Sequence, residues 1–530
     1  MIVRPKSAGL RAHRRVAVSA AAFAILLAGC SAGSSSESTE SGTSSGQTGS
    51  DAQDAGVLKV ALGRELPILD PYLSVANKDL EFYFAFYDRL IHVSPDYDLV
   101  PGLAESWEFA EDMSYLELKL REGVTFHDGV PFNAEAVKKN YERAVSEGTG
   151  SIVTDLADVT GVEVVDEHTV RFVTAVPVSN LPAILSDRAG IQPSPEMSKG
   201  SDLVAGSGMY EIDRYEPGVG LYLKPYAGYW DKEAQGLAGL EFSFLTDSSA
   251  IFSALQSGQL NAAPIDIPQA EQARSVGLQI DDRPTVGVTI ISLNSDREGL
   301  ADPRLRRAIN IGIDRQALVD KLALGAGEPT CQWFPEGMAE HDPDMGLAPC
   351  DYDPEEARRL VEEAAPDGWT LTLSHMSDDF ANTQFAQAVV EMWKEVGIDA
   401  QLNPVESSVA IGLLNDTKEI TALGAPFAGR PSALQTIAHF TIDGGFGVLG
   451  GAHLSEEREE LYAKARAAAD PAEQADYVQQ ISHEMIENAA VPIPVYFERA
   501  PLAFTEKVHG LEKYVSNKQE FRGVTVDAGN

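Results

Sequence analysis

The chain has 530 residues, 44% hydrophobic and 23% charged, which is the composition of a folded protein too long for a single simple core. Lys plus Arg number 41 against 80 Asp plus Glu, a formal charge of −39. A surface this acidic repels phosphate backbones and anionic lipid, so nucleic-acid binding is excluded and a soluble monomer is expected.

The first elements belong to targeting. Arg4, Lys6, Arg11, Arg14 and Arg15 precede a run from Val16 to Ala28 in which Ser19 alone is polar. Thirteen residues are too few to cross a bilayer as a helix, where about 20 are needed, but they suit the apolar region of a signal peptide. The run ends in Leu27-Ala28-Gly29-Cys30. Small residues before a lone Cys resemble the lipobox of bacterial lipoproteins, which implies cleavage after Gly29 and a lipid on Cys30. The alternative is an ordinary secretory signal with a chance Cys. Residues 31–55 hold no large apolar side chain and read as a flexible linker spanning roughly 25–30 Å as a coil.

From Val57 onward, short β-type runs alternate with amphipathic helices, so the fold class is α/β. Trp369 to Leu373 alternates with period two and predicts a strand. Phe385, Ala388, Val389, Met392, Trp393 and Val396 then fall on one helix face, Gly397 stops the helix, and Ile398 to Val405 returns as a strand. This strand, helix, strand unit implies a right-handed parallel crossover. Asp302-Pro303, Asp353-Pro354 and Asp470-Pro471 each place an N-cap acid before Pro at the first helical position, with Glu356 and Glu473 set for capping boxes. These acids have structural work. The prolines of Val491 to Phe497 suggest an edge or crossover strand between lobes.

Cys331 and Cys350 form an even pair in an oxidising compartment, most simply a disulfide. Two buried free thiols are the alternative. A metal site has only His341 between the two to support it.

No catalytic constellation stands out. Gly445 to Gly450 matches G-x-G-x-x-G, but lacks the flanking strand and helix that a dinucleotide site needs, and reads as a loop. His127-Asp128-Gly129 is a strand running into a turn. The histidines are scattered without metal-ligand spacing, and neither G-x-S-x-G nor a phosphate-binding loop occurs. No cofactor or metal is implied.

Four stretches in order carry a specific resemblance. They are Leu103 to Glu108 leading through Leu118 to Gly129 and Pro131 to Glu135; Gly206 to Tyr210 with Tyr226 to Trp230; Asp302 to Asn310 with Ile313 to Arg315; and Tyr352 to Ala357. Together they resemble the extracytoplasmic solute-binding proteins of family 5, the peptide/nickel type that feed ABC importers. The resemblance implies a two-lobed periplasmic-binding-protein-like fold of type II. Residues 57–97, 200–288 and 498–530 would form the first lobe, 98–199 its extra subdomain, and 289–497 the second lobe. A peptide or peptide-like solute, anionic in one version, would be trapped between the lobes and delivered to the permease. A nickel chelate, another non-peptide solute or a purely sensory role are the alternatives within the family, and an extracellular hydrolase is the enzyme reading set against it.

Peptide-binding relatives pair the ligand's amino terminus with an Asp from a stretch corresponding to about 424–432. Here that stretch, Gly424 to Ser432, has no acid. Arg430 offers a fork for an anion instead, or else pairs with a surface acid. Phe427 is expected to stack on the solute. Trp333 is expected as an aromatic wall or a packing residue. Tyr72 is carried over by position as a first-lobe contact.

Overall fold

A computed structural model gives the fold of residues 55–528, apart from 200–202, 416, 431, 446 and 517. The signal peptide, Cys30 and nearly all of the linker lie outside the described residues. The described chain belongs to one compact unit.

Two sheets organise it. The first has seven strands in the order Tyr210–Glu216, Gly220–Pro225, Gly239–Ser243, Val57–Ala61, Ala262–Pro264, Leu502–Phe504 and Gln279–Asp281. Val57–Ala61 runs parallel to both of its neighbours. Against this sheet lies the helix Leu80–Phe86, whose Phe82 meets Phe242 edge-on at 5.0 Å between ring centres. Each buried aromatic or aliphatic side chain here contributes roughly 1.5–3 kcal/mol by leaving water.

The second sheet has six strands in the order Gly327–Pro329, Ile493–Glu498, Val288–Leu293, Ala422–Phe427, Trp369–Met376 and Ile398–Val405. Trp369–Met376 and Ile398–Val405 are parallel neighbours, and the helix Phe380–Glu395 joins them. Phe385, Val389, Trp393 and Val396 are buried on the predicted face. Gly397 takes φ 87°, a backbone that favours glycine, and so ends the helix.

Asp302, Asp353 and Asp470 each accept a backbone N–H as N-caps, from Arg304, Glu356 and Ala472. The capping boxes do not close. Glu356 pairs with Arg359 and Glu473 with Tyr477, because those partners stand one turn ahead on the same helix.

Of the two expectations for the proline-rich strand, the structure bears out the crossover between lobes and not the edge. Ile493–Glu498 is not at the sheet edge. It lies between Val288–Leu293 and the three-residue strand Gly327–Pro329. The missing N–H of Pro494 falls where the pairing with Val288–Leu293 shifts register, between Thr289 and Ile290, and the carbonyl of Pro494 accepts from Arg315.

The extra subdomain is a four-stranded antiparallel sheet covering Ala104–Phe109, Tyr115–Leu120, Thr169–Thr174 and Val159–Asp166, with the helix Ala134–Glu147. Its core also takes in Tyr72, Leu90 and Ile91, which precede residue 98.

The chain crosses between the sheets twice, and the same two segments pair on both sides. Gln279–Asp281 pairs with Leu502–Phe504 in the first sheet, and Val288–Leu293 with Ile493–Glu498 in the second. These paired crossings form the hinge. The C-terminal segment lies along it, with the Val286 amide bonded to the Val515 carbonyl at 2.9 Å.

Candidate functional site

The lobes touch across their gap. Asn77 donates to the Gly429 carbonyl at 3.1 Å, and Tyr97 donates its hydroxyl to the Arg430 carbonyl. Further out, Arg466 meets Asp158 at 2.5 Å, and the Ser179 amide donates to the Arg466 carbonyl.

Cavities lie between the lobes, among them two lined by described residues of both. One, of about 300 Å³, lies between the subdomain, at Asp155 and Asn180, and the second lobe, at His439 and Tyr462. The other, of about 350 Å³, lies at the hinge. The first lobe lines it with Leu62, Arg64, Lys78 and Glu81. The second lobe contributes Pro426, Phe427 and Ala428. The return crossing adds Glu498 and Pro501, and the C-terminal segment adds Lys513, Tyr514 and Lys518.

The strand Ala422–Phe427 and the loop after it pass close to their neighbours because glycines allow it. A Cβ on Gly424 would stand 2.8 Å from the Phe385 ring. Gly429 has φ 83°, and a Cβ there would stand 2.1 Å from Val286 of the first crossing.

The hinge cavity is charged on both sides. Glu81 binds Arg64 and, at 3.4 Å, Lys78. Burial opposes its ionisation, yet these two cations hold the carboxyl below its ordinary value. Lys518 pairs with Asp187 at 3.0 Å. Burial pushes Lys513 down to about 8, and its ammonium donates to the carbonyls of Arg283 and Ala500. Glu498 accepts from the Thr289 hydroxyl at 2.6 Å, and burial pushes its carboxyl up.

The residues expected from sequence separate here. Phe427 lines the cavity. Trp333 stands behind it, stacked on Phe440 at 5.4 Å and edge-on to Phe427 at 6.3 Å, so it braces the aromatic wall and lines no part of the hinge cavity. Tyr72 needs correcting. Its ring is buried in the subdomain core and its hydroxyl donates to the Ile191 carbonyl at 2.7 Å, which leaves nothing for a solute.

Arg430 also differs from expectation. It faces the gap, but its guanidinium is occupied by Ser151 at 3.1 Å, Asp155 at 3.4 Å and His439 at 3.3 Å. It pairs with an acid, as in the alternative reading, but that acid is largely covered and lies on the opposite lobe.

Cys331 and Cys350 are joined by a disulfide, with Cα atoms 6.0 Å apart. His127 and Asp128 hold local structure through Gly208 and Ser194. Among the described residues no group of three or more His, Cys, Asp or Glu is placed to hold a metal.

Sequence reasoning missed Glu498, Lys513 and Lys78. Glu498 left one trace, an acid directly after an apolar strand at a lobe crossing.

The model for "Bacterial extracellular solute-binding proteins, family 5 Middle" matches residues 98–439. The glutathione-binding protein GsiB of Salmonella typhi is 29% identical over 357 residues, covering 66% of this chain and 69% of that protein. Among solved structures, the binding protein AgaA of A. tumefaciens R10, in complex with agropinic acid, superposes with a TM-score of 0.81 at 20% identity over 90% of this chain and 99% of its own. DppA of Helicobacter pylori, in complex with the peptide STSA, gives 0.78 at 20% identity over 89% and 98%. The two lobes are thus those of a known architecture. The chain belongs to family 5 of the bacterial extracellular solute-binding proteins, which hold a solute and do not transform it.

Proposed function

We propose that this protein captures a small peptide or peptide-like solute in the hinge cavity and presents the closed form to an ABC importer permease. In this reading a lipid on Cys30 holds the protein at the outer face of the cell membrane, and it acts as a monomer. The observation that carries the solute assignment is the cavity of about 350 Å³, which is walled by both lobes and by charges of both signs beside the Phe427 ring. A solute touching both walls favours closure, because the open form offers only one wall at a time. Mixed charge suits a molecule with an ammonium and a carboxylate. The volume suits a short one. The relatives named for glutathione and for a bound peptide support the same class.

The test is mass spectrometry of solute released from protein purified out of its native host, followed by calorimetric titration. One equivalent of a peptide-like molecule, bound and recovered unchanged, is expected. Recovery of only non-peptide solutes, or consumption of the bound molecule, overturns the reading.

A further inference from the structure

Among the described residues, the hinge cavity contains a carboxylate with no ion-pair partner. Glu498 stands where the second sheet hands the chain back to the first. One of its oxygens accepts from Thr289. Among the described residues, no Lys, Arg or His nitrogen lies within 4.0 Å of its carboxylate. The other charged groups of the cavity are engaged. Glu81 has Arg64, Lys78 and the Gln519 amide. Lys518 has Asp187, and Lys513 has two carbonyls.

Glu498 makes its direct contact with Thr289, and its charged neighbours stand further off. Burial disfavours its ionised form, and the Thr289 hydroxyl favours it. Beyond these, Asp379 repels the carboxylate while Lys78 and Lys513 attract it. Asp379 caps the helix Phe380–Glu395 through the Asn382 amide and stays on the second lobe. Glu498 and Glu81 line the cavity together with Arg64, Lys78, Lys513 and Lys518. On the near wall, Pro426, Phe427 and Ala428 bring no acid, and none occurs from residue 424 to 432.

We propose that Glu498 is the contact for the ammonium group of the solute. The assignment rests on the peptide reading of the hinge cavity and deepens it. An arriving ammonium supplies the missing ion-pair partner, and the bond is charge-assisted, which strengthens it. Cations of the same cavity then meet the solute's acidic end. Glu498 is thus a specificity residue, selecting free-amine molecules over capped ones.

The probe is an exhaustive protease digest of casein, rich in di- and tripeptides. Half is left untreated and half has its amines acetylated. Each half is dialysed to equilibrium against the wild-type protein and against Glu498→Gln, and retained peptides are counted by mass spectrometry. Wild type should concentrate peptides from the untreated half and not from the acetylated half. Glu498→Gln, which keeps the shape and the Thr289 contact, should retain them about ten- to a hundred-fold less. Equal retention of acetylated peptides by the wild type overturns the proposal without any variant having to fold. Undiminished retention by Glu498→Gln does the same. If wild type retains nothing from either half, the peptide reading itself falls and the proposal with it, an outcome distinct from the other two.

Discussion

Arg430 and Asp155 face each other across the gap between the lobes, Nη1 to Oδ2 at 3.4 Å, with side chains only 5% and 12% exposed. One comes from the loop after the Ala422–Phe427 strand, the other from the end of the short helix Ser151–Asp155. Burial pushes the Asp155 carboxyl up, and Arg430 pulls it back. The pair is therefore a contact that only the closed arrangement satisfies.

Arg430→Ala should open the solute-free protein. Loss of charge-assisted hydrogen bonds of about 1.5–3 kcal/mol shifts closure roughly ten- to a hundred-fold. Small-angle scattering should show a larger radius of gyration. Arg466→Ala should do far less, because Asp158 is 44% exposed and such pairs contribute about 0.2–1 kcal/mol. The reverse order of the two variants would contradict this ranking.

Reduction of the Cys331–Cys350 bond, or replacement of both residues by Ser, should lower the unfolding free energy by about 3 kcal/mol. The two lie 19 residues apart, and closing a loop of that size removes entropy from the unfolded chain. Peptide mapping without reductant should find the linked pair. Two freely alkylated thiols would overturn the prediction.

Acid should weaken the protein through His453. Burial, then Arg458 and Arg306, push this histidine down to about 4 from its ordinary 6.5. Between those values the unfolded chain holds the proton and the folded one does not, so stability falls as pH drops from 6.5 to 4. One unit corresponds to 1.36 kcal/mol, so the loss is about 3 kcal/mol. His453→Gln should flatten the fall in thermal midpoint between pH 7 and pH 4.5. An equally steep fall would place the acid sensitivity elsewhere.

Cys30→Ala should leave the secreted chain without lipid. Growth with labelled palmitate is expected to mark the wild type and not the variant. Label retained on the variant would move the anchor elsewhere.

Local features were legible in the sequence because they depend on neighbours. The 369–405 unit follows from periods of two and 3.6, and the three Asp-Pro starts from capping chemistry. The site was less legible because its pairs are remote. Arg430 and Asp155 are 275 residues apart, and nothing at either position names the other. Glu498 looks like an ordinary acid after a strand until the crossing turns it toward a cavity. Tyr72 shows the converse: a phenol beside a first-lobe strand reads the same whether its hydroxyl meets a solute or the Ile191 carbonyl. The proline-rich strand left an edge open beside the crossover because the three residues that cover it, Gly327–Pro329, carry almost no strand signal.

Ala55 bridges to Asp527, and the Gly56 amide donates to the Val526 carbonyl at 2.9 Å. The folded body thus takes up its chain and lets it go at one shared edge, next to the Val57–Ala61 strand. Whatever is attached ahead of residue 55 or behind residue 528 therefore hangs from the first lobe. A bead, chip or fusion partner joined at either end grips the same half of the molecule, and the second lobe keeps its freedom to swing. A dye pair meant to report that swing needs one dye inside 289–497 and the other at the tethered edge.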